Sequence, residues 1–206
     1  MVQRALERVL YIWALRHPAS GYVQGINDLA TPFFLVFLTP HLPRDRPAKP
    51  EAVAAVAPAT LAEVEADTFW GLSKLIDSIQ DHYTFAQPGI QRMVFKLKEL
   101  TARIDGKLHA HLMEQNLHFI QFAFRWMNCL LMRELSIDLI LRLWDTYLAE
   151  HNGGDDDGAN LSEGFAVMHV YACAALLARF SPELQQMEFQ DLVVYLQHLP
   201  TSGWTD

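Results

Sequence analysis

The sequence predicts an all-α fold, an irregular array of about seven helices, from three observations. Apolar residues recur every three or four positions in several long segments, as they do on the buried face of an amphipathic helix. No segment has the alternation of apolar and polar residues that is typical of a strand, and no internal repeat occurs. Prolines, glycines and short polar runs separate the periodic segments.

Composition and charge favour a protein partner. At 206 residues and 51% hydrophobic, the chain can bury a sizeable core. Its 16 Lys and Arg residues against 24 Asp and Glu residues give a net charge of -8, which disfavours binding to nucleic acid or anionic lipid. Residues 29–38 form the longest apolar run, far below the roughly 20 residues that cross a bilayer, and no signal peptide is visible. We therefore expect a cytoplasmic protein without direct membrane insertion.

The cysteines and histidines do not predict a metal site. Cys129 and Cys173 lie far apart in apolar segments without a Cys-x-x-Cys spacing, so neither a disulfide nor a zinc site is expected. His109, His111 and His118 follow one another closely but have no facing set of carboxylates or cysteines. They are interpreted as surface or helix-capping residues, and no cofactor of the chain's own is expected.

The first helix leads into an unusual loop. Residues 2–16 predict an amphipathic helix that Pro18 ends, and residues 21–28 read Gly-Tyr-Val-Gln-Gly-Ile-Asn-Asp. Two glycines four positions apart permit a tight loop that presents Gln24. A glutamine carboxamide has one acceptor oxygen and two donor hydrogens, so it can align a water molecule, although it cannot act as a base. The alternative is that Gln24 only satisfies backbone groups of the loop.

Residues 26–38 predict a buried helix with Pro32 near its first turn. Residues 39–60 contain five prolines and predict a solvated loop insertion rather than a binding motif. The helical period resumes at Leu61 and continues to about residue 80, with Asp67 as the expected N-cap.

The second half of the sequence predicts five further helices. Pro88 and Gly89 introduce a helix whose apolar face extends to Leu100. Residues 119–132 are apolar on nearly all sides and predict a central helix, and residues 137–149 predict the next one, with Ser136 as its N-cap. The closing helices are predicted at residues 161–180 and 183–199.

Polar residues on the two central helices form matching stripes. They are Gln121, Arg125 and Asn128 on the first helix and Asp138, Arg142 and Asp145 on the second. A buried guanidinium must be paired, so we expect an ion pair between Arg125 and Asp145 that joins the two helices. This structural role is favoured over a catalytic one.

An acidic run, Asp155-Asp156-Asp157-Gly158, lies within residues 151–160. Placing Gly158 at position 6 of a calcium-binding loop puts glycines at both terminal ligand positions, so calcium binding is not expected. The segment is interpreted as a second solvated loop insertion.

The loop at residues 21–28 resembles the Tyr-x-Gln-Gly motif of the TBC domain, a family of proteins that activate the GTPase activity of Rab proteins. The similarity extends through residues 67–70, 124–128 and 143–147, and so covers most of the chain. It implies a TBC-like helical array and a single, partial domain over residues 1–206. It also agrees with a scaffold role for the motifs that contain Arg125 and Asp145.

The resemblance implies a regulator of an enzyme rather than an enzyme. Gln24 would be the catalytic glutamine, supplied in trans to a Rab partner that carries the GTP and Mg²⁺. Tyr22, Gly25 and Asn27 would hold the loop or contact the Rab, and Asp28 would cap the following helix. Such a protein would act in vesicle trafficking and associate peripherally with membranes through the Rab.

One part of the family pattern is not found. In the family an Ile-x-x-Asp-x-x-Arg motif precedes the glutamine, whereas residues 1–20 contain only Arg4, Arg8 and Arg16, in helical context. We therefore expect weak activity from this chain and full activity from a longer parent that has the motif. A non-catalytic Rab-binding or helical adaptor domain is the alternative function. The chain has no phosphate-binding loop of its own.

Overall fold

The computed structural model describes residues 2–43, 50–149 and 161–205. Within these ranges all regular structure is helical, which confirms the predicted all-α class. The described α-helices are α1 (Val2–Arg16), α2 (Ile26–Leu38), α3 (Pro50–Ala54), α4 (Pro58–Ser78), α5 (Pro88–Ile104), α6 (Gly106–Glu114), α7 (Ile120–Asn128), α8 (Ile137–Ala149), α9 (Leu161–Arg179), α10 (Ser181–Leu184) and α11 (Phe189–Gln197). Short 3-10 helices follow α2 at Thr39–His41 and α4 at Gln80–His82. None of the described helices is long and apolar enough to cross a membrane.

The chain divides into two compact units, Met1–Phe85 and Ala86–Asp206. Helices α1 to α4 belong to the first unit, and α5 to α11 belong to the second. The prediction of a single domain stays a prediction.

In the first unit, α1, α2 and α4 pack on one another. The buried residues of α1 are Ala5, Val9 and Trp13, at the spacing that puts them on one helix face. Gly71 allows α4 to come close to α2, because a Cβ at this position would lie 2.7 Å from Cδ1 of Phe33. The close approach therefore depends on the missing side chain.

The predicted loop insertion at residues 39–60 is wrong in its second half. Pro50 begins α3 and Pro58 begins α4, because proline is tolerated in the first turn of a helix, where its missing N–H has no helical partner. Val53 and Val56 are buried in the cluster that also contains Ala5, Phe34, Leu38, Leu61 and Val64. Residues 44–49 of the predicted loop lie outside the described residues, as does the whole predicted loop at 151–160.

Two details of the predicted helices are also wrong. Asp67 is not an N-cap, because α4 begins nine positions earlier, at Pro58. Pro32 lies in the interior of α2 rather than in its first turn, and its side chain is buried. The bounds predicted for the helices at 2–16, 26–38 and 137–149 agree with α1, α2 and α8.

The second unit contains a helix that ends earlier than predicted. Residues 119–132 do not form one helix, since α7 ends at Asn128 and is followed by Leu130 and Leu131 with φ of 48° and 63°. The N–H of Leu131 donates to the carbonyl oxygen of Trp126 at 3.1 Å, which closes the helix end in the manner of a left-handed C-terminal cap. The chain therefore reverses here without a glycine.

Because of this reversal, Arg125 has a different ion-pair partner from the one that the sequence predicts. Its Nε donates to Oε1 of Glu134 at 2.7 Å, and its Nη2 donates to the carbonyl oxygen of Gln197 at 2.7 Å. Asp145 lies on the exposed face of α8. The predicted ion pair between Arg125 and Asp145 is wrong, because the reversal after α7 returns Glu134 to the guanidinium.

Glu134 is almost completely buried, with 5% of its surface exposed. Burial raises the pKa of its carboxyl, and the charge of Arg125 and its hydrogen bond oppose that rise. The hydroxyl of Thr201 donates to the carbonyl oxygen of Glu134, and Arg125 binds the end of α11. The pair thus joins α7, the reversal and the C-terminal segment.

A second buried polar group was not predicted from the sequence. His169 is fully buried, and its Nε2 lies 3.0 Å from the carbonyl oxygen of Trp126, which can only accept. Nε2 therefore carries the proton, and Nδ1 accepts from the hydroxyl of Tyr147 at 2.9 Å. Burial raises the pKa values of Tyr147 and of the neighbouring Cys173 thiol. Cys129 and Cys173 are both buried and unbridged.

The first prediction concerns the ion pair. Arg125→Ala leaves the buried carboxylate of Glu134 without its cation, so it should lower the free energy of unfolding by about 3 to 5 kcal/mol at neutral pH. Asp145→Ala, at the exposed position, should change it by less than about 0.5 kcal/mol. Urea unfolding of both variants measures the difference, and equal losses would contradict the observed pairing.

The second prediction concerns pH. Because the pKa of Glu134 is raised in the folded state, its contribution to stability is complete below the unfolded value, about 4.3. That contribution is lost as pH rises through the folded value. Glu134→Gln cannot ionise, so the wild-type chain should lose stability relative to this variant between acid and neutral pH. Chemical unfolding at a series of pH values measures this, and a constant difference would contradict the raised pKa.

Candidate functional site

The loop that contains Gln24 begins at a well-anchored helix end. His17 stacks on the buried ring of Trp13, with 4.3 Å between ring centroids, and its Nδ1 lies 2.8 Å from the carbonyl oxygen of Trp13. The N–H of Gly21 donates to the carbonyl oxygen of His17 at 2.8 Å. Gly21 has a φ of 61°, which glycine adopts without strain. The end of α1 therefore directs the chain into the loop.

Gln24 lies at the apex of a tight turn. The N–H of Ile26 donates to the carbonyl oxygen of Val23 at 3.2 Å, so Gln24 and Gly25 occupy the two central positions. Gly25 has φ 115° and ψ -27°, close to the left-handed conformation that a type II turn needs at its third residue. The side chain of Gln24 is exposed, whereas Gly25 and Ile26 are buried. The turn thus places the carboxamide of Gln24 at the surface, next to the buried residues Gly25 and Ile26.

Asn27 holds the turn from the inside. Its Oδ1 accepts from the N–H of Gly25 at 3.2 Å and from the hydroxyl of Tyr22 at 3.1 Å, and its Nδ2 donates to Oδ1 of Asp28 at 3.3 Å. The ring of Tyr22 stays 52% exposed. The structure therefore brings Tyr22, Gly25 and Asn27 together around Gln24. The hydrogen bonds of Asn27 could not be read from the motif, although asparagine side chains often bond to nearby backbone groups in turns.

Asp28 does not have the predicted capping position. Gly25 is the N-cap of α2, and no side chain makes the capping hydrogen bond. Asp28 is the third residue of the helix, where a negative charge interacts favourably with the helix dipole. Its own N–H donates to the carbonyl oxygen of Gly25 at 3.0 Å.

The arginines that precede the loop have other contacts. Arg8 donates to both carboxylate oxygens of Glu65, and the guanidinium of Arg16 lies 5.7 Å from the centre of the Phe69 ring. Both contacts join α1 to α4.

The described residues contain no group of three His, Cys, Asp or Glu side chains that could hold a metal ion. Nε2 of His111 instead lies 2.9 Å from the carbonyl oxygen of Met187, and the ring of His109 lies 6.1 Å from that of Phe119. The side chain at the apex of the Gln24 turn is a carboxamide, which can accept and donate hydrogen bonds.

A comparison with models of protein families identifies the family of this chain. The model of the Rab-GTPase-TBC domain matches residues 1–185, which is most of the chain and includes the whole Gln24 loop. The chain belongs to the Rab-GTPase-TBC domain family. The resemblance of the loop and of the motifs in α4, α7 and α8 is thus confirmed at the level of the family.

Two relatives illustrate the similarity. The chain is 52% identical over 205 residues to "GTPase-activating protein gyp1" of Schizosaccharomyces pombe, covering 100% of this chain and 38% of that protein. It is 50% identical over 206 residues to "TBC1 domain family member 22A" of Homo sapiens, with the same shares of the two chains. The chain therefore spans about two fifths of the length of these relatives.

A solved structure agrees with the fold. The crystal structure of the Ypt/Rab-GAP domain of Gyp1p matches 99% of this chain and 61% of its own chain, with a TM-score of 0.85 and 46% identity.

The family motif in α8 makes structural contacts in this chain. Nε1 of Trp144 donates to the carbonyl oxygen of Leu130 at 3.1 Å, and Tyr147 binds His169.

The third prediction tests the role of Asn27. Asn27→Ala removes the acceptor for Tyr22 and Gly25, so it should cost about 1 kcal/mol in stability and speed amide exchange at Gly25 at least several-fold. Asn27→Asp keeps a side-chain oxygen in the same place and is the matched control, with slower exchange expected than in Asn27→Ala. Hydrogen exchange read by NMR measures both, and identical rates in the wild type and the alanine variant would contradict the role.

Proposed function

We propose that this chain is part of a GTPase-activating protein for a Rab-family small GTPase and supplies Gln24 to the partner in trans. The observation that carries the proposal is the exposed carboxamide of Gln24 on a turn that Gly25 and Asn27 hold in one conformation. A group that must orient a water molecule needs this rigidity, because small displacements weaken catalysis greatly. Membership of the Rab-GTPase-TBC domain family and relatives named GTPase-activating proteins support the proposal.

The chemistry occurs on the partner, so the chain is an enzyme regulator. The Rab holds GTP and Mg²⁺, and the carboxamide oxygen of Gln24 accepts a hydrogen bond from the attacking water while its NH₂ group donates one to the transferring phosphate group. Gln24 therefore positions the water without changing its own protonation state. The chain needs no cofactor of its own, and its place in vesicle trafficking and at membranes follows from the Rab that it binds.

The neighbouring residues have separate roles in this proposal. The exposed ring of Tyr22 contacts the Rab, since exposed aromatic side chains often contribute most to binding at interfaces. Gly25 supplies the left-handed conformation that the turn needs, and Asn27 positions Gln24 through the hydrogen bond to Gly25. Tyr22 keeps its hydroxyl on Asn27, so its ring has a fixed direction.

The arginine of the family pattern is the missing part. The Ile-x-x-Asp-x-x-Arg motif does not occur in these 206 residues, and Arg8 and Arg16 are engaged with α4. An arginine that neutralises the transferring phosphate is worth about 10³ to 10⁵ in rate. We therefore expect this chain to accelerate hydrolysis weakly and a protein that has both residues to accelerate it fully.

The fourth prediction tests Gln24 directly. Single-turnover GTP hydrolysis is measured on a panel of Rab GTPases, with the Schizosaccharomyces pombe relative as the positive control that identifies a responsive Rab. The chain should accelerate hydrolysis weakly, and Gln24→Ala should remove most of that acceleration, because the attacking water is then no longer positioned. Gln3→Ala, at an exposed glutamine on α1, is the matched control and should have no effect.

Each other outcome has a distinct meaning. Binding of a responsive Rab without acceleration would favour the non-catalytic adaptor. Equal acceleration by the wild type and Gln24→Ala would contradict the role of the glutamine. Loss of acceleration in Arg16→Ala to the same degree as in Gln24→Ala would mean that Arg16 leaves Phe69 and supplies the positive charge.

A further inference from the structure

An open apolar groove of about 570 Å³ lies between α5 and α7 in the second unit. We call it the α5–α7 groove. Its apolar wall consists of Ile90, Val94 and Phe95 on α5 and Phe119, Ile120 and Phe124 at α7. These residues do not include any part of the Gln24 loop, which belongs to the first unit.

The groove exposes more apolar surface than packing requires. Phe95 is 60% exposed, Ile120 43% and Phe124 38%, although Phe119 and Ile90 beside them are buried. Single exposed apolar residues are common, whereas several along one groove are typical of a surface that binds another molecule. The three residues therefore define a binding surface rather than the edge of the core.

The charge of the groove is opposite to that of the chain. The whole chain has a net charge of -8, yet the described residues that line the groove include no Asp or Glu. Their ionisable members are Lys98 and His118. Lys98 has neither a hydrogen bond nor an ion pair with another described residue. An apolar wall with one available ammonium group favours an apolar ligand that has a carboxylate.

The end of the groove is held in a strained conformation. Ala86 and Gln87 have φ of 63° and 46°, in the left-handed region that residues other than glycine rarely adopt. Nε2 of Gln91 donates to the carbonyl oxygen of Ala86 at 2.6 Å and so holds this segment against α5. Strained backbone of this kind is concentrated at binding sites, because the surrounding structure must maintain it.

The dimensions of the groove fit a short helix. Ile90, Val94 and Lys98 recur every four residues along α5, so they lie on one face and span about 12 Å, or roughly two helical turns. A groove between two packed helices matches the ridge of side chains on a third, with apolar anchors at every third or fourth position. Because it is open along its length, the groove fits such a segment better than an enclosed small molecule.

We infer that the α5–α7 groove binds an amphipathic helical segment of a partner protein other than the Rab, through apolar anchors and a carboxylate that pairs with Lys98. The anchors contact Phe95, Ile120 and Phe124, and the carboxylate lies at the Lys98 end. This surface would join the chain to a second protein independently of Gln24.

The test uses the full chain and two fluorescent peptides. One is a short amphipathic helical peptide with leucines on one face and a flanking glutamate, and the other has lysine in place of that glutamate. Fluorescence anisotropy should give about tenfold tighter binding of the glutamate peptide, equivalent to about 1.4 kcal/mol. Lys98→Glu should reverse this preference, which a general loss of folding cannot do.

A matched pair of phenylalanines locates the contact. Phe124 and Phe189 are each 38% exposed and both belong to the second unit, but only Phe124 lines the groove. Phe124→Ala should weaken binding of the glutamate peptide about tenfold, whereas Phe189→Ala should leave it unchanged. Equal effects of the two variants would overturn the inference.

Three further results would also overturn it. The first is that neither peptide binds, and the second is that Lys98→Glu leaves the preference unchanged. The third is that Lys98→Glu lowers acceleration of GTP hydrolysis on a responsive Rab, since the groove would then belong to the Rab interface. If no Rab responds but the peptide preference reverses as expected, the proposed function fails while this inference stands.

Discussion

The carboxamide oxygen of Asn27 accepts two hydrogen bonds, and the form of the Gln24 loop depends on them. One donor is the N–H of Gly25, whose left-handed conformation makes the turn possible. The other is the hydroxyl of Tyr22, on the opposite side of Gln24 in the chain. The stacked pair of Trp13 and His17 anchors the entry to the loop, so Gln24 is held by its neighbours rather than by burial.

Contacts between buried polar groups also fix the path of the chain in the second unit. Arg125 binds both Glu134 and the carbonyl oxygen of Gln197, and Thr201 binds the backbone of Glu134. A buried carboxylate is costly unless it is paired, so this pair specifies one path for the chain after α7. His169 joins Tyr147 to Trp126 in the same way, because each of its two ring nitrogens has a hydrogen-bond partner.

Local sequence signals predicted the long helices well. The bounds of α1, α2 and α8 follow from apolar periodicity and from the residues that flank it. The sequence does not predict the short helix α3, because five residues carry too little periodicity and Pro50 lies among the prolines of a segment that resembles a linker. The burial of Val53 depends on the cluster with Phe34 on α2, which no local pattern encodes.

The sequence by itself determined the helical class, the TBC family and the position of Gln24 between two glycines, because these depend on local periodicity, conformational freedom and motif spacing. Only the tertiary structure decided that Arg125 pairs with Glu134 rather than with Asp145. It also decided that Asn27 holds the turn and that Asp28 lies inside α2 instead of capping it. These outcomes depend on backbone reversals and on the direction of side chains, which bring together residues that no spacing along the chain relates.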